Sequence, residues 1–268
     1  MSSPLAVTIG VLGLQGGHAE HAHSLLNVAR SHALPPDVQL SVRDVRKPEH
    51  IADPSLDALI IPGGESTSMA IIAESMGLMQ PLRDFVNLHK KPAWGTCAGL
   101  IMLANHATHT KQHGQSTIGG LSVTVDRNAF GSQRDSFVCD LAPPPFSAPS
   151  SSASSASPSA TVPASAPPTT TPTPFPGIFI RAPLVSSIDA PSVLTLCTVS
   201  HKGHQGPVAV RQDHILGTAF HPELTQDTRW HEYFVNMVVE AKRAAAAGQG
   251  GSGSGRAKAG AALEERVG

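Results

Sequence analysis

The segment KPAWGTCAGLIMLA sets Cys97 two residues after Gly95 and two before Gly99. A short apolar run leads into it and an apolar, helix-like run follows. Gly-x-nucleophile-x-Gly is the spacing of a nucleophile elbow, in which flanking glycines permit a tight strand-to-helix turn that lifts the side chain above a sheet. The positive end of the following helix favours the thiolate. Taken alone, the pattern also fits a small buried cysteine beside two incidental glycines. A thiol nucleophile needs a base, and the base needs an orienting carboxylate. LGTAFHPELT offers both as His221 and Glu223, two apart around Pro222. Extended backbone would put these side chains on one face, and the proline fixes φ and removes a competing N–H. With 14 histidines in the chain a His-x-Glu pair arises easily, so its weight comes from the elbow. Acyl transfer also needs donors for a developing oxyanion. In IPGGEST, Gly63 and Gly64 free the backbone to turn N–H groups toward a neighbouring site, and Ser66 or Thr67 is positioned to cap a following helix. No Gly-Lys-Ser/Thr follows, which disfavours a phosphate-cradling loop.

These residues need a scaffold, and the sequence describes one. β-rich and helix-like runs alternate: Ala6–Leu14 then Ala19–Ala29; Val38–Val42; Ala58–Ile61 then Ser66–Met76 and Leu82–His89; Pro92–Thr96 then Ala98–Ala104. Such alternation predicts βαβ units and a mostly parallel sheet. After Leu121 the runs LSVTVDR, SFVCDL, IFIRAPLV, VLTLCTVS, VAVRQ and LGTAF read as more antiparallel strands, ending in an amphipathic helix around Thr228–Ala241. From Ala142 to Pro174, 31 of 33 residues are Ala, Pro, Ser or Thr and none is charged. That composition cannot bury enough apolar surface to offset ordering entropy. The expected organisation is one domain over 4–241, interrupted by a disordered insert at 142–174, with a flexible Gly/Ser-rich tail over 242–268.

A formal net charge of -1 gives no electrostatic footprint for nucleic acid or an anionic membrane. Three cysteines without a Cys-x-x-Cys pair suggest neither a disulfide framework nor a zinc site. The N-terminal apolar stretch lacks a basic region and a cleavage site and is too short to span a bilayer. The expectation is a soluble, cytoplasmic protein.

PGGEST, GTCAG and FHPE, together and in this order, resemble class I (triad-type) glutamine amidotransferases. More narrowly, VLGLQGGHAEH, LIIPGGESTSM, AWGTCAGLIMLA, VDRNAFGSQRDSF, FIRAP and VAVRQDHILGTAFHPELTQDTRWHEYF resemble the glutaminase subunits of the two-subunit pyridoxal 5'-phosphate synthase. The resemblance covers nearly all of 6–141 and 175–240. It implies a three-layer α/β/α sandwich of flavodoxin-like type and hydrolysis of glutamine to glutamate and ammonia. It further implies Cys97, His221 and Glu223 as triad, and Gly63, Gly64, Glu65, Arg127, Ile180 and Arg181 as the glutamine-binding set. Gln15 resembles a residue linked to oxyanion-hole formation, in which Gly64 also takes part. The resemblance further implies no metal or organic cofactor, and as partner a (β/α)8-barrel synthase subunit within a large hetero-oligomer. Ser132 and Val138 depart from the family pattern.

The remaining candidates read as structural. His18, His21 and His23 do not share one face, so a solvent-facing cluster is expected in place of a metal site. Met69, Met76 and Met79 read as core packing, and Cys139 and Cys197 as small buried residues.

Overall fold

The computed structural model describes residues 3–31, 33–108, 116–129, 136–145 and 173–250. The first half contains β1 (Leu5–Leu12), α1 (His18–Arg30), β2 (Val38–Val45), α2 (Pro48–Ala52), β3 (Ala58–Ile61), α3 (Ser66–Ser75), α4 (Met79–Arg83), β4 (Ala93–Thr96) and α5 (Ala98–Leu103). There follow β5 (Ala104–Thr108), β6 (Leu121–Asp126), β7 (Phe137–Leu141), β8 (Phe175–Phe179) and β9 (Leu184–Ile188). The chain then forms β10 (Leu194–His201), β11 (His204–Gln212), β12 (Ile215–Thr218) and α6 (Arg229–Gly250).

A seven-stranded sheet of order β10-β11-β12-β4-β3-β1-β2 forms the centre. β12, β4, β3, β1 and β2 run parallel, while β11 and β10 add antiparallel strands at one edge. β3 (ALII) and β4 (AWGT) are buried along their whole length, the pattern of strands covered on both faces. Neighbouring residues of one strand point to opposite faces, and β4 shows what covers each. Trp94 packs against His231 and Phe234 of α6, with ring centroids 5.0 and 5.5 Å away. A Cβ at Gly95 would instead lie 2.3 Å from Gly99 O of α5. α6 and α5 therefore cover opposite faces, with α1 beside α6 and α3 beside α5: a three-layer α/β/α sandwich, as expected. α1 buries His21, Ser24, Leu25 and Val28, an i, i+3, i+4, i+7 stripe. β5-β6-β9 and β7-β8 form two small additional sheets.

Several expectations are corrected. IFIRAPLV is not one strand: β8 ends at Phe179 and β9 starts at Leu184, with Arg181 between them at φ 46. Positive φ on a non-glycine residue breaks the pleat, and an arginine gives no local signal of it. The last helix passes the predicted stop at Ala241 and runs to Gly250, because an alanine-rich stretch is strongly helix-forming. His21 is fully buried where a solvent-facing cluster was expected, while His23 of the same helix is exposed. Met69 and Met79 are core residues, but Met76 is 43 % exposed; Cys197 is buried and Cys139 only half-buried. Most of the 142–174 insert, Ser132 and 251–268 of the tail lie outside the described residues, and Val138 is exposed on β7. The insert departs from a β-hairpin, since β7 and β8 pair antiparallel with Leu141 opposite Phe175. Among the described residues no helix is long and apolar enough to cross a membrane.

Candidate active site

Four adjacent parallel strands deliver the candidate residues at their carboxyl ends, where open α/β sheets bind ligands. Gln15-Gly16-Gly17 follows β1, Gly63-Gly64-Glu65 follows β3, Cys97 follows β4 and His221 follows β12. Together they border a cleft of about 330 Å³ lined by Gly63, Gly64, Cys97, Arg127, Arg181 and His221, among others. A larger hollow of about 440 Å³ lies beside Tyr233 and Arg243 of α6; it holds no nucleophile–base pair.

Cys97 occupies φ 51, ψ -106 between β4 and α5. The strained turn thus falls on the cysteine itself, and the two glycines serve close packing. A Cβ at Gly99 would lie 1.9 Å from Ile61 O, and one at Gly95 would lie 2.3 Å from Gly99 O. Cys97 N–H donates to Thr218 O at 2.8 Å, tying the elbow to β12. Cys97 is 6 % exposed, with Sγ 4.0 Å from Ile180 O.

His221 and Glu223 meet as expected but by a different backbone. Pro222–Leu224 is a 3-10 turn, and His221 Nδ1 lies 2.8 Å from Glu223 Oε1. His221 N–H donates to Ile178 O at 2.8 Å, so the end of β8 holds the base in place. Burial alone would lower the His221 pKa, yet the Cys97 and Glu223 side chains outweigh it and raise it to about 10. Burial likewise works against the Glu223 carboxylate, but the histidines beside it keep its pKa below the ordinary value. A protonated imidazole between a thiol and a carboxylate suits nucleophilic catalysis.

Gly63 spans the top of the pair. A Cβ there would sit 2.7 Å from the His221 ring and 3.4 Å from the Cys97 Cβ, so only glycine fits. Gly64 has φ 143, open to glycine and few others. Gln15 lies behind this loop, its Oε1 accepting from Glu65 N–H at 2.8 Å. The cap of α3 is Glu65, in place of Ser66 or Thr67: its carboxylate accepts from the Thr67 and Ser68 N–H groups at 3.0 and 2.8 Å. Burial would raise its pKa, but these bonds and the Ser68 hydroxyl hold it near 2. Arg127 Nη2 reaches Glu65 Oε1 at 3.1 Å and Thr67 at 3.0 Å.

Of the predicted residues, Gly63, Gly64, Glu65, Cys97, Arg127, Ile180, Arg181 and His221 line the cleft, while Gln15 and Glu223 stand behind it. Sequence reasoning missed Gly16 and Gly17, whose added Cβ atoms would meet Gly63 O at 2.1 Å and Glu223 Cγ at 3.0 Å. It also missed His21 and Thr96 behind Glu223; the helical period of α1 was the available signal for His21.

The sequence matches the SNO glutamine amidotransferase family over residues 11–150 and 168–240. It is 41% identical over 230 residues to the pyridoxal 5'-phosphate synthase subunit PdxT of Streptomyces griseus, covering 86% of this chain and 95% of that one. It is 37% identical over 259 residues to a "Probable pyridoxal 5'-phosphate synthase subunit PDX2" of Arabidopsis thaliana, covering 90% and 89%. A crystal structure of a glutamine amidotransferase superposes with TM-score 0.64 at 33% identity, covering 86% of this chain and 98% of that one. The chain belongs to the SNO glutamine amidotransferase family.

Proposed function

We propose that this chain is the glutaminase subunit of a pyridoxal 5'-phosphate synthase, with Cys97, His221 and Glu223 as its triad. The observation that carries the reading is the meeting of Cys97, His221 and the Gly63–Gly64 backbone in one cleft, with Glu223 behind the imidazole. The Cys97 thiolate attacks the δ-carbonyl carbon of glutamine. Charge develops on the carbonyl oxygen, where backbone N–H groups of the Gly63–Gly64 loop and of Ala98 would receive it. His221 gives its proton to the leaving nitrogen as the C–N bond breaks, so ammonia departs and a glutamyl thioester remains. The imidazole, now neutral, takes a proton from water as it attacks the thioester; glutamate leaves and the thiolate returns. Glu223 holds the ring with Nδ1–H toward itself and Nε2 toward the reaction. Glu65, ionised across the working pH range, suits the ammonium group of the amino acid. Arg127 and Arg181 suit its carboxylate.

Ammonia then passes to a synthase subunit, which by the family resemblance is a (β/α)8-barrel chain assembled with this one in a large hetero-oligomer. The test is glutamate release from glutamine by the chain alone and with that subunit, for wild type and Cys97→Ala. Release by wild type and none by Cys97→Ala is expected. Undiminished turnover by Cys97→Ala would overturn the assignment.

A further inference from the structure

That mechanism occupies one oxygen of Glu223 and leaves the other unexplained. Oε1 engages His221, whereas Oε2 is buried with no hydrogen-bond partner among the described residues. Facing it is His21 Nε2, 3.3 Å away on α1, and both side chains are sealed from solvent. The same nitrogen is 3.1 Å from Thr96 Oγ1, one residue before Cys97. His21 Nδ1 lies 2.9 Å from His231 Nε2 of α6. Gly17 closes the other side, because a Cβ there would come within 3.0 Å of Glu223 Cγ and Oε1. The carboxylate thus sits between His221, Gly17 and His21, and His21 is itself held by Thr96 of β4 and His231 of α6.

The neighbours select the tautomer. Burial lowers the pKa of His21 and of His231, so each ring is neutral at pH 7 and carries one proton. A proton on His21 Nδ1 would turn the Nε2 lone pair toward the Glu223 carboxylate. It would also force the His231 proton onto Nδ1, a buried atom with no acceptor among the described residues. With the proton on His21 Nε2, that N–H faces Glu223 and Thr96, and Nδ1 accepts from His231. What is left unmatched is a lone pair on His231 Nδ1, a smaller penalty than a buried orphan N–H beside two opposed lone pairs.

We propose that His21 is a positioning residue of this site: its Nε2–H, held in that tautomer by His231, fixes the Glu223 carboxylate that orients His221. This rests on the glutaminase reading. The neutral ring contributes the positive end of an N–H dipole without adding a second cation beside His221. A carboxylate pinned at both oxygens cannot rotate away when the imidazole loses its proton in mid-reaction.

The test compares His21→Leu, His21→Asn and His21→Gln in the assembled complex, with thermal unfolding measured for each. Leucine fills similar space without a donor. Asparagine keeps a polar group near His231 but withdraws it from Glu223. The glutamine amide reaches the place of Nε2–H. The Leu and Asn variants are expected to lose about tenfold in kcat with KM unchanged, the worth of one hydrogen bond to a charged group. His21→Gln should recover to within about threefold of wild type on the same grounds. In a Glu223→Gln background, His21→Leu should cost little further, because the charged acceptor that its N–H holds is gone. Wild-type kcat in the Leu or Asn variant would overturn the proposal. So would equal losses in all three variants that track their unfolding temperatures, or losses that stay additive with Glu223→Gln. Should His21→Leu not fold, His21→Asn against His21→Gln makes the same distinction. If wild type releases no glutamate, the glutaminase reading fails by itself. Iodoacetamide labelling of Cys97, read by mass spectrometry, then still reports on His21: slower in Leu and Asn than in Gln supports it, equal rates overturn it.

Discussion

Gly99→Ala asks how firmly the nucleophile is held. The added Cβ would lie 1.9 Å from Ile61 O and 2.9 Å from Ile61 C, where carbon–oxygen contacts ordinarily need about 3.3 Å. The obstruction is the main chain of β3, buried throughout and paired to β1 and β4, so it cannot swing aside as a side chain would. α5 must lift off the sheet by more than about 1 Å, given that ordinary spacing. Overpacking of this kind costs about 1–3 kcal/mol. For a domain of this size that is roughly 2–12 °C in Tm. The effect on rate is larger, since Cys97 immediately precedes α5 and misplacing a reacting group by about 1 Å costs on the order of 100-fold. Gly77→Ala is the matched control: its φ of 67 makes the substitution strained, but nothing lies within 4 Å of the new Cβ. It should lose about 1 kcal/mol of stability and keep its kcat. Glutamate release in the presence of the synthase subunit, together with thermal unfolding followed by circular dichroism, separates the two. Wild-type kcat in Gly99→Ala would refute the idea that contact between α5 and β3 sets the position of the thiol.

Cys97→Ala should abolish hydrolysis and leave a cooperatively folded chain; full activity there, with Cys139→Ala inactive, would move the nucleophile elsewhere. Replacing 146–172 by a short Gly/Ser turn should leave a folded, active enzyme, because Leu141 and Phe175 are already cross-strand partners; loss of cooperative unfolding would show the segment to be structural. The glutaminase rate should rise on adding the synthase subunit, and Gln15→Ala, which removes the acceptor for Glu65 N–H, should blunt that rise; equal turnover with and without the subunit, or undiminished stimulation of the variant, rules out that route. Stability should fall on both sides of neutrality. Below about pH 6.5 the unfolded chain takes up protons that buried His21 and His231 refuse. Above that pH the unfolded chain releases a proton that His221 keeps until about 10. Urea midpoints measured from pH 5 to 10 check this, and a flat profile would contradict it.

The elbow and His221-Pro222-Glu223 were legible because their chemistry is written in adjacent letters, and the mostly parallel sheet followed from alternating runs. What escaped reading depends on distant partners or on unusual backbone. His21 and His231 are 210 residues apart and meet only when α1 packs on α6. Seen alone, His21 looks like one of three histidines on a polar helix, although the period through Ser24, Leu25 and Val28 placed it on the buried stripe. Glu65 is an uncommon cap that displaced the more usual Ser66 and Thr67. The Arg181 bend and the 3-10 turn at Pro222 are choices the surrounding fold imposes on residues with no preference for them.

The positive φ of Cys97 sets durability and reactivity against each other at a single codon. Held conformations of this kind cost about 1–3 kcal/mol, and glycine alone sheds that cost. A Cys97→Gly change would offset part of its lost packing by relaxing the turn, giving an inactive chain that loses less stability than removal of a buried side chain alone implies. Drift toward silent copies that still occupy a synthase subunit is therefore opposed mainly by selection on catalysis and only weakly by folding. A screen of this protein for thermal resistance alone would therefore guard this position only weakly against dead variants.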